Sequence, residues 1–422
     1  MKQPKKIRDY FVGYPLLWGF VLLMGGLFLL DLCFTSNPYS ELENRRLTQK
    51  PAFSLSALWN NEYTKDYEKY INDQFVWRDG WITLKSVFET ALGKTENNGV
   101  VYGEDHYIFN KIYPHRMGET RGNGTGFGGD GEDETPLPVV NEAQLTRNRN
   151  FLLDFAGKSY SGHVTLALAP NSYAVLRDKL PPFLPNVDAG SLIADFYAGV
   201  RDSVTTLDLV TPLEEAAQQH QVYYRNDHHW TTDGAWVGYR AYCQALGLPY
   251  VTLEELAPFR REEPGFLGTY YNKSKNFGVR PDTLVWYDIP VEEVTIDGGT
   301  TVLQSDGSTA EVTGIYQREK FATRDKYAAF LYGNNGLTVI RTGNNKAKRE
   351  GEVRRVLLIK DSYGNCFAPF LTYSYDEVWV ADLRNMTFKV SQVVAENDFE
   401  DVLILYNLDT FQEDRNFSRI TY

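Results

Sequence analysis

Four consecutive positions, Asp227-His228-His229-Trp230, bring together a carboxylate, two imidazoles and an indole, and they hold two of the six histidines of the chain. Far downstream the apolar run Val356–Ile359 stops abruptly at Lys360-Asp361-Ser362-Tyr363-Gly364. A carboxylate that orients an imidazole, and an imidazole that takes the proton of a hydroxyl, turn a serine into a nucleophile. The apolar run, its polar stop and the segment Cys366–Leu371 read as a buried parallel strand, a tight turn and the start of a helix. Such a turn presents a serine hydroxyl at the carboxyl edge of a sheet, with its N–H near a helix N-terminus where an oxyanion can be stabilised. Most serines in that place only cap the helix, so Ser362 gains its meaning from the distant Asp-His pair.

A metal site is the competing use of Asp-His-His. His106, His115, His163 and His220 are scattered, and Cys33, Cys243 and Cys366 form no CxxC pair, so no further ligand set has metal spacing and no metal or cofactor is expected. The same three letters occur in phosphoesterases, which need more metal-binding carboxylates, and in palmitoyltransferases, which need a cysteine after the histidine pair where this chain has Trp230. In an extended segment a two-residue spacing keeps Asp227 and His229 on one side while His228 points away. That favours His229 as the base, with His228 as the alternative.

The elements that must position these groups are strands with polar ends. His163–Ala169 leads to Asn171, Val222–Tyr224 to Asp227, Val356–Ile359 to Ser362, Glu377–Ala381 to Arg384, and Val402–Leu405 to Tyr406 and Asn407. Helical patterns over 191–201, 212–220 and 232–246 lie between several of them, which predicts βα repetition around a mainly parallel sheet. Ligands of open α/β sheets gather outside the carboxyl ends of the strands, where these polar termini converge.

Asp227-His228-His229-Trp230-Thr231, followed by the segment Lys360–Asn365, then Asp382–Arg384 and Tyr406-Asn407, resembles the DHHW family of Gram-positive bacteria, which is related to the SGNH-hydrolase-like alginate O-acetyltransferases. The resemblance extends to Ser40–Leu47, Tyr70–Arg78 and Gly99–Gly103, which in such proteins lie between a membrane segment and the catalytic domain. It implies an SGNH-hydrolase-like three-layer α/β/α sandwich and, by position, an orienting Asp227, a base His229 and a nucleophile Ser362. Arg384 and Tyr406 stand where the alginate enzymes have residues that shape the acyl or oxyanion site. Asn171 and Asn407 are further donor candidates, and Tyr363 and Trp230 complete the expected oxyanion and substrate group. The order departs from ordinary SGNH hydrolases, which place Gly-Asp-Ser early and Asp-x-x-His late; here Asp-x-His comes first and Lys-Asp-Ser follows.

Lys2, Lys5, Lys6 and Arg8 precede the charge-free stretch Phe11–Leu30. At about 1.5 Å per residue this is long enough for a hydrocarbon core of about 30 Å. Basic flanks stay in the cytoplasm, so a single-pass anchor at the cell membrane with an extracellular C-terminal domain is expected; Leu32 before Cys33 argues against lipoprotein processing. The expected organisation is a tail and transmembrane anchor over 1–35, a helical stalk or cap over 36–110, a glycine-rich acidic loop over 111–140, and a catalytic domain over 141–422 that carries a small β insertion at about 290–350. Three cysteines exclude a disulfide scaffold. A net charge of −12 disfavours nucleic acid. With the resemblance, these features imply an extracytoplasmic O-acetyltransferase or esterase acting on a cell-surface or exopolysaccharide glycan, and leave room for a membrane partner that exports the acyl group. The alternative is an inactive glycan-binding or assembly protein on the same scaffold.

Overall fold

Val356–Ile359 and Val402–Tyr406 have no exposed surface, and strands buried on both faces belong to the middle of a sheet. The computed structural model, which describes residues 14–33, 36–40, 45–112, 140–184, 186–276, 278–304 and 307–421, places both there. A seven-stranded sheet is built from β1 (His163–Ala169), β2 (Thr205–Thr206), β3 (Glu293–Ile296), β4 (Leu337–Arg341), β5 (Arg355–Lys360), β6 (Glu377–Ala381) and β7 (Asp401–Asn407). Their order across the sheet is β3-β4-β6-β5-β7-β1-β2. From β6 to β2 neighbours run parallel, whereas β4 pairs antiparallel with β6 and β3 antiparallel with β4. The sheet, expected as mainly parallel, is mixed, because two strands from the stretch 290–350 extend one of its edges with antiparallel pairs.

The chain leaves β5 for β6 on one side and then crosses β5 to reach β7 on the other. Parallel crossovers are right-handed, so the two connections fall on opposite faces of the sheet. Helix Gly364–Leu371 packs with helix Thr232–Leu246, and helix Val390–Glu396 with the turn Phe155–Ser159. The carboxyl end of β5 is a switch point of the kind at which α/β sheets open a crevice, and Ser362 follows it.

Val222–Tyr224, expected as a strand ending at Asp227, does not join the sheet. Tyr223 bridges Trp230 instead, with the Tyr224 N–H donating to the His229 carbonyl at 3.3 Å and the Thr231 N–H to that of Val222 at 2.8 Å. The segment folds back on itself because its polar centre, Arg225 to Asp227, is held by another hairpin, Arg260–Phe266 paired with Asp282–Tyr287. Asp282 accepts from the Arg225 N–H at 2.6 Å, from the Arg225 guanidinium at 2.7 Å and from Gln221 at 2.8 Å. Thr231 then caps helix Thr232–Leu246 by accepting from the Gly234 N–H, and Gly247 at φ +65° ends it.

The sheet belongs to the larger of two units, formed by Lys94–Ser274 and Gly278 onward. In it Glu96–Asn97, Val100–Tyr102 and Ile108–Asn110 make a small antiparallel sheet, and the Ile108 N–H donates to the Arg225 carbonyl at 2.7 Å. The other unit holds the described residues up to Gly93 with Lys275 and Asn276; it is helical over Pro15–Cys33, Leu55–Trp59, Glu62–Gln74 and Arg78–Ala91. Helix Pro15–Cys33 has nineteen residues. Among the described residues no helix is long and apolar enough to cross a membrane; the expected span begins at Phe11, and residues 1–13 lie outside the described residues. So does most of the expected glycine-rich loop, from 113 to 139.

Candidate active site

Ser362 stands on the turn between β5 and helix Gly364–Leu371, a turn stapled by its own neighbour. Asp361, fully buried, accepts from the Tyr363 N–H at 2.9 Å and, across the sheet, from the Asn407 N–H at 3.0 Å. A Cβ on Gly364 would stand 2.5 Å from the Lys360 Cβ, so glycine is what lets the helix start this close to the strand. Ser362 is partly exposed while its neighbours are buried. No hydrogen bond from its N–H occurs among the described residues, which leaves that N–H as a candidate oxyanion donor.

The two distant segments meet. His229 Nε2 lies 2.8 Å from Ser362 Oγ, and His229 Nδ1 lies 2.5 Å from Asp227 Oδ1. Asp227 is buried, and its oxygens also accept from the His229 N–H at 2.9 Å and the Thr269 N–H at 2.7 Å. Burial alone would raise the Asp227 pKa, but the attraction of the His229 ring, with the hydrogen bonds from His229 and the Thr269 N–H, outweighs it and holds the carboxyl well below the usual range. His228 reaches no hydrogen-bond partner through Nδ1 among the described residues. Burial first, and the neighbouring His229 second, push its pKa down to about 3, which keeps it neutral.

Among the described residues, Asp227, His228 and His229 are also a group whose possible ligand atoms lie within 4.8 Å of one another. The set does not suit an ion, since both ring nitrogens of His229 are committed to Asp227 and Ser362.

Trp230 and Tyr363 tie the two segments together. Trp230 Nε1 donates to the Tyr363 carbonyl at 3.1 Å, and the Tyr363 hydroxyl donates to the His228 carbonyl. Tyr406 is packed edge-on against Phe411 and Phe417 with ring centroids 5.7 and 5.8 Å away. Trp230, Tyr363 and Tyr406 are each 0% exposed, so their rings lie in the packed interior. Asn171 Nδ2 donates to Asn407 Oδ1 at 3.2 Å, and Asn407 Oδ1 also caps the turn at Asp409 and Thr410. Arg384 grips Asp382 through Nε at 2.9 Å and a terminal nitrogen at 2.6 Å. Burial works against its charge, but Asp382 holds its pKa above the ordinary arginine value.

Other participants escaped sequence reasoning. The Gly268 N–H donates to Asn226 Oδ1 at 2.6 Å, which with the Thr269 contact locks the loop against Asp227. Lys360 Nζ, buried, reaches Asp382 Oδ2 at 3.0 Å and Asn365 Oδ1 at 2.6 Å. The Tyr327 ring stacks on His229 with centroids 3.8 Å apart. The local signals were a glycine after a strand, a lysine at a strand end and a tyrosine in a turn, none of which names its partner.

A family model described as DHHW protein matches residues 193–381, the span that carries both Asp227–Trp230 and Ser362. A probable alginate O-acetylase AlgJ from Pseudomonas fluorescens is 26% identical over 191 residues, 43% of this chain and 43% of its own length. The chain spans about half the length of the curated relatives it matches. A crystal structure of a DHHW family protein from Eubacterium siraeum is 22% identical and covers 77% of this chain and 95% of its own, with a TM-score of 0.55. A Bacillus cereus PatB1 structure with a sulfonyl adduct is 19% identical, covering 75% and 96%, with a TM-score of 0.54. The chain is thus similar in sequence to DHHW proteins and to alginate O-acetylases, and shares its α/β fold with the Eubacterium siraeum DHHW family protein and with PatB1.

Proposed function

We propose that this chain is an extracytoplasmic acyl-transfer enzyme, an O-acetyltransferase or esterase acting on a cell-surface or exopolysaccharide glycan through Ser362, His229 and Asp227. The observation that carries the reading is the unbroken series from the Asp227 carboxylate through both nitrogens of His229 to Ser362 Oγ, at 2.5 and 2.8 Å. His229 Nε2 takes the Ser362 proton as Oγ attacks the acyl carbonyl; the C–O bond to the donor breaks and the leaving group takes that proton from the imidazolium. Asp227, kept ionised, fixes the tautomer with the proton on Nδ1 and offsets the charge on the ring. The Ser362 N–H is a candidate oxyanion donor, with Asn171, Asn407 and Arg384 as further candidates at the same sheet edge. The acyl-serine then yields to water or to a sugar hydroxyl.

The similarity to alginate O-acetylases supports a glycan as acceptor. The charge-free stretch Phe11–Leu30 and the basic residues before it are the basis for a single-pass anchor with the C-terminal domain outside the cell, where an acyl group exported by a membrane partner would reach it. The test is the purified chain with an activated acetyl ester and a fluorophosphonate. Turnover and a label on Ser362, both lost in Ser362→Ala, are expected. An inert wild type, or a label on another serine, overturns the reading and leaves the glycan-binding alternative.

A further inference from the structure

Both edges and both faces of the His229 ring are occupied. Asp227 Oδ1 and Ser362 Oγ take the two nitrogens in the ring plane. The Tyr327 ring lies over one face, centroids 3.8 Å apart and 13° from parallel. His228 has its centroid 3.8 Å away too, tilted by 38°. Two rings cannot share one face at that distance, so the imidazole is held between them.

Tyr327 is itself fixed at its far end. Its hydroxyl donates to the Ser362 carbonyl at 2.9 Å and lies 3.2 Å from Cys366 Sγ. Burial raises its pKa well above the usual phenol value, so the hydroxyl keeps its proton and remains a donor. Phe330 packs on the ring from within the same turn, at 5.3 Å. One side chain therefore touches the base with its face and the nucleophile's own peptide with its tip, across 133 positions of sequence between His229 and Ser362.

We infer that Tyr327 is the positioning residue of the Ser362–His229 pair, an inference that rests on the acyl-transfer reading: its ring sets the plane of the imidazole and its hydroxyl sets the turn that carries Oγ. Proton transfer from Oγ to Nε2 needs both atoms in line, and a misplacement of about 1 Å costs on the order of a hundredfold. The ring face also meets the imidazolium as it forms, a cation over an aromatic surface. The stretch 290–350 then supplies a working part of the site as well as two strands of the sheet.

The experiment compares Tyr327→Leu and Tyr327→Phe in the full chain, using an activated acetyl ester and proton NMR of the His229 Nδ1–H shared with Asp227. Leucine keeps the site covered but offers no ring face; Tyr327→Met repeats the test if the leucine variant does not fold. Tyr327→Leu is expected to lower kcat about tenfold to a hundredfold at unchanged KM and to speed exchange of the Nδ1 proton. Tyr327→Phe is expected to recover most of the loss, because it restores the stack. Wild-type kcat and proton exchange in the leucine variant, or equal loss in both variants, overturns the inference. If the wild type is inert to the ester the acyl-transfer reading fails, and the proton-exchange comparison still decides whether Tyr327 holds the ring.

Discussion

A Cβ placed on Gly268 would stand 2.2 Å from Oδ2 of Asp227 and 2.3 Å from its Cβ. No real side chain tolerates that, so the carboxylate that orients His229 is packed against bare backbone. The same backbone holds it, through the Thr269 N–H at 2.7 Å. Gly268→Ala therefore must push Asp227 or the loop aside. Overpacking of this kind costs about 1–3 kcal/mol, and the displaced carboxylate loses its grip on Nδ1. A lower melting temperature together with a fall in ester turnover is expected; unchanged turnover would show that Asp227 does not need this wall.

What the sequence disclosed depended on how local the signal was. Helix Thr232–Leu246 was legible to its ends because Thr231 and Gly247 are capping residues that act on their own backbone. The Ser362 turn was legible because an apolar run buried on both faces stops at Asp361. Val222–Tyr224 misled, since a short apolar run reads as a strand whether it joins a sheet or folds back on Trp230. Gly268 and Tyr327 act on partners 41 and 98 positions away, as the numbering of Asp227 and His229 shows. Their meaning lies in tertiary contacts that no local pattern encodes. The antiparallel edge formed by β3 and β4 was hidden for a similar reason: alternating strands with turns announce a β segment but not the sheet it will join.

Lys360 and Asp382 form a buried ion pair at 3.0 Å, with side chains 2% and 0% exposed, two residues before the serine. Burial alone would raise the Asp382 pKa, but Lys360 and then Arg384 bring it down to about 2. A carboxyl whose folded pKa lies below its unfolded value stabilises at neutral pH, and that contribution is lost as pH falls from about 4 towards 2. Asp382→Asn strands a buried lysine and is expected to cost about 3–5 kcal/mol. Lys360→Met leaves Asp382 paired with Arg384 and costs less. Urea unfolding of the two variants at neutral pH checks the order, and the reverse ranking would refute it.

Asp409 has the opposite sign. Burial pushes its pKa up to about 6, although Tyr173 and Asn110 donate to it at 2.7 and 2.9 Å. The folded chain therefore binds this proton more tightly than the unfolded one. The stabilisation is full below about pH 4 and fades as pH rises through about 6. Asp409→Asn removes this titration. The melting temperature of the wild type minus that of the variant should fall between pH 4 and pH 7; a difference that stays flat would mean that burial does not perturb this group.

His228 and His229 sit side by side, yet only one of them bonds to both Asp227 and Ser362. His228 Nδ1 is 3.7 Å from Asp227 Oδ1, too far for a hydrogen bond, and it has no hydrogen-bond partner among the described residues. The alternation expected of an extended segment does not hold, since residues 225–229 bend and His228 stacks on His229 instead of pointing away; the hydrogen bonds alone set the kinetic expectation. His229→Ala should lower turnover of an activated ester by on the order of 10⁴-fold or more, because Oγ loses its base. Asp227→Asn should cost about as much, on the order of 10⁴-fold, by leaving the imidazole in the wrong tautomer. His228→Ala removes one of the two rings flanking the base and should cost about tenfold or less. Melting curves exclude unfolding as the cause in each case. Comparable losses from His228→Ala and His229→Ala would mean that the neutral imidazole also carries the proton, and the assignment of the base to His229 would then be abandoned.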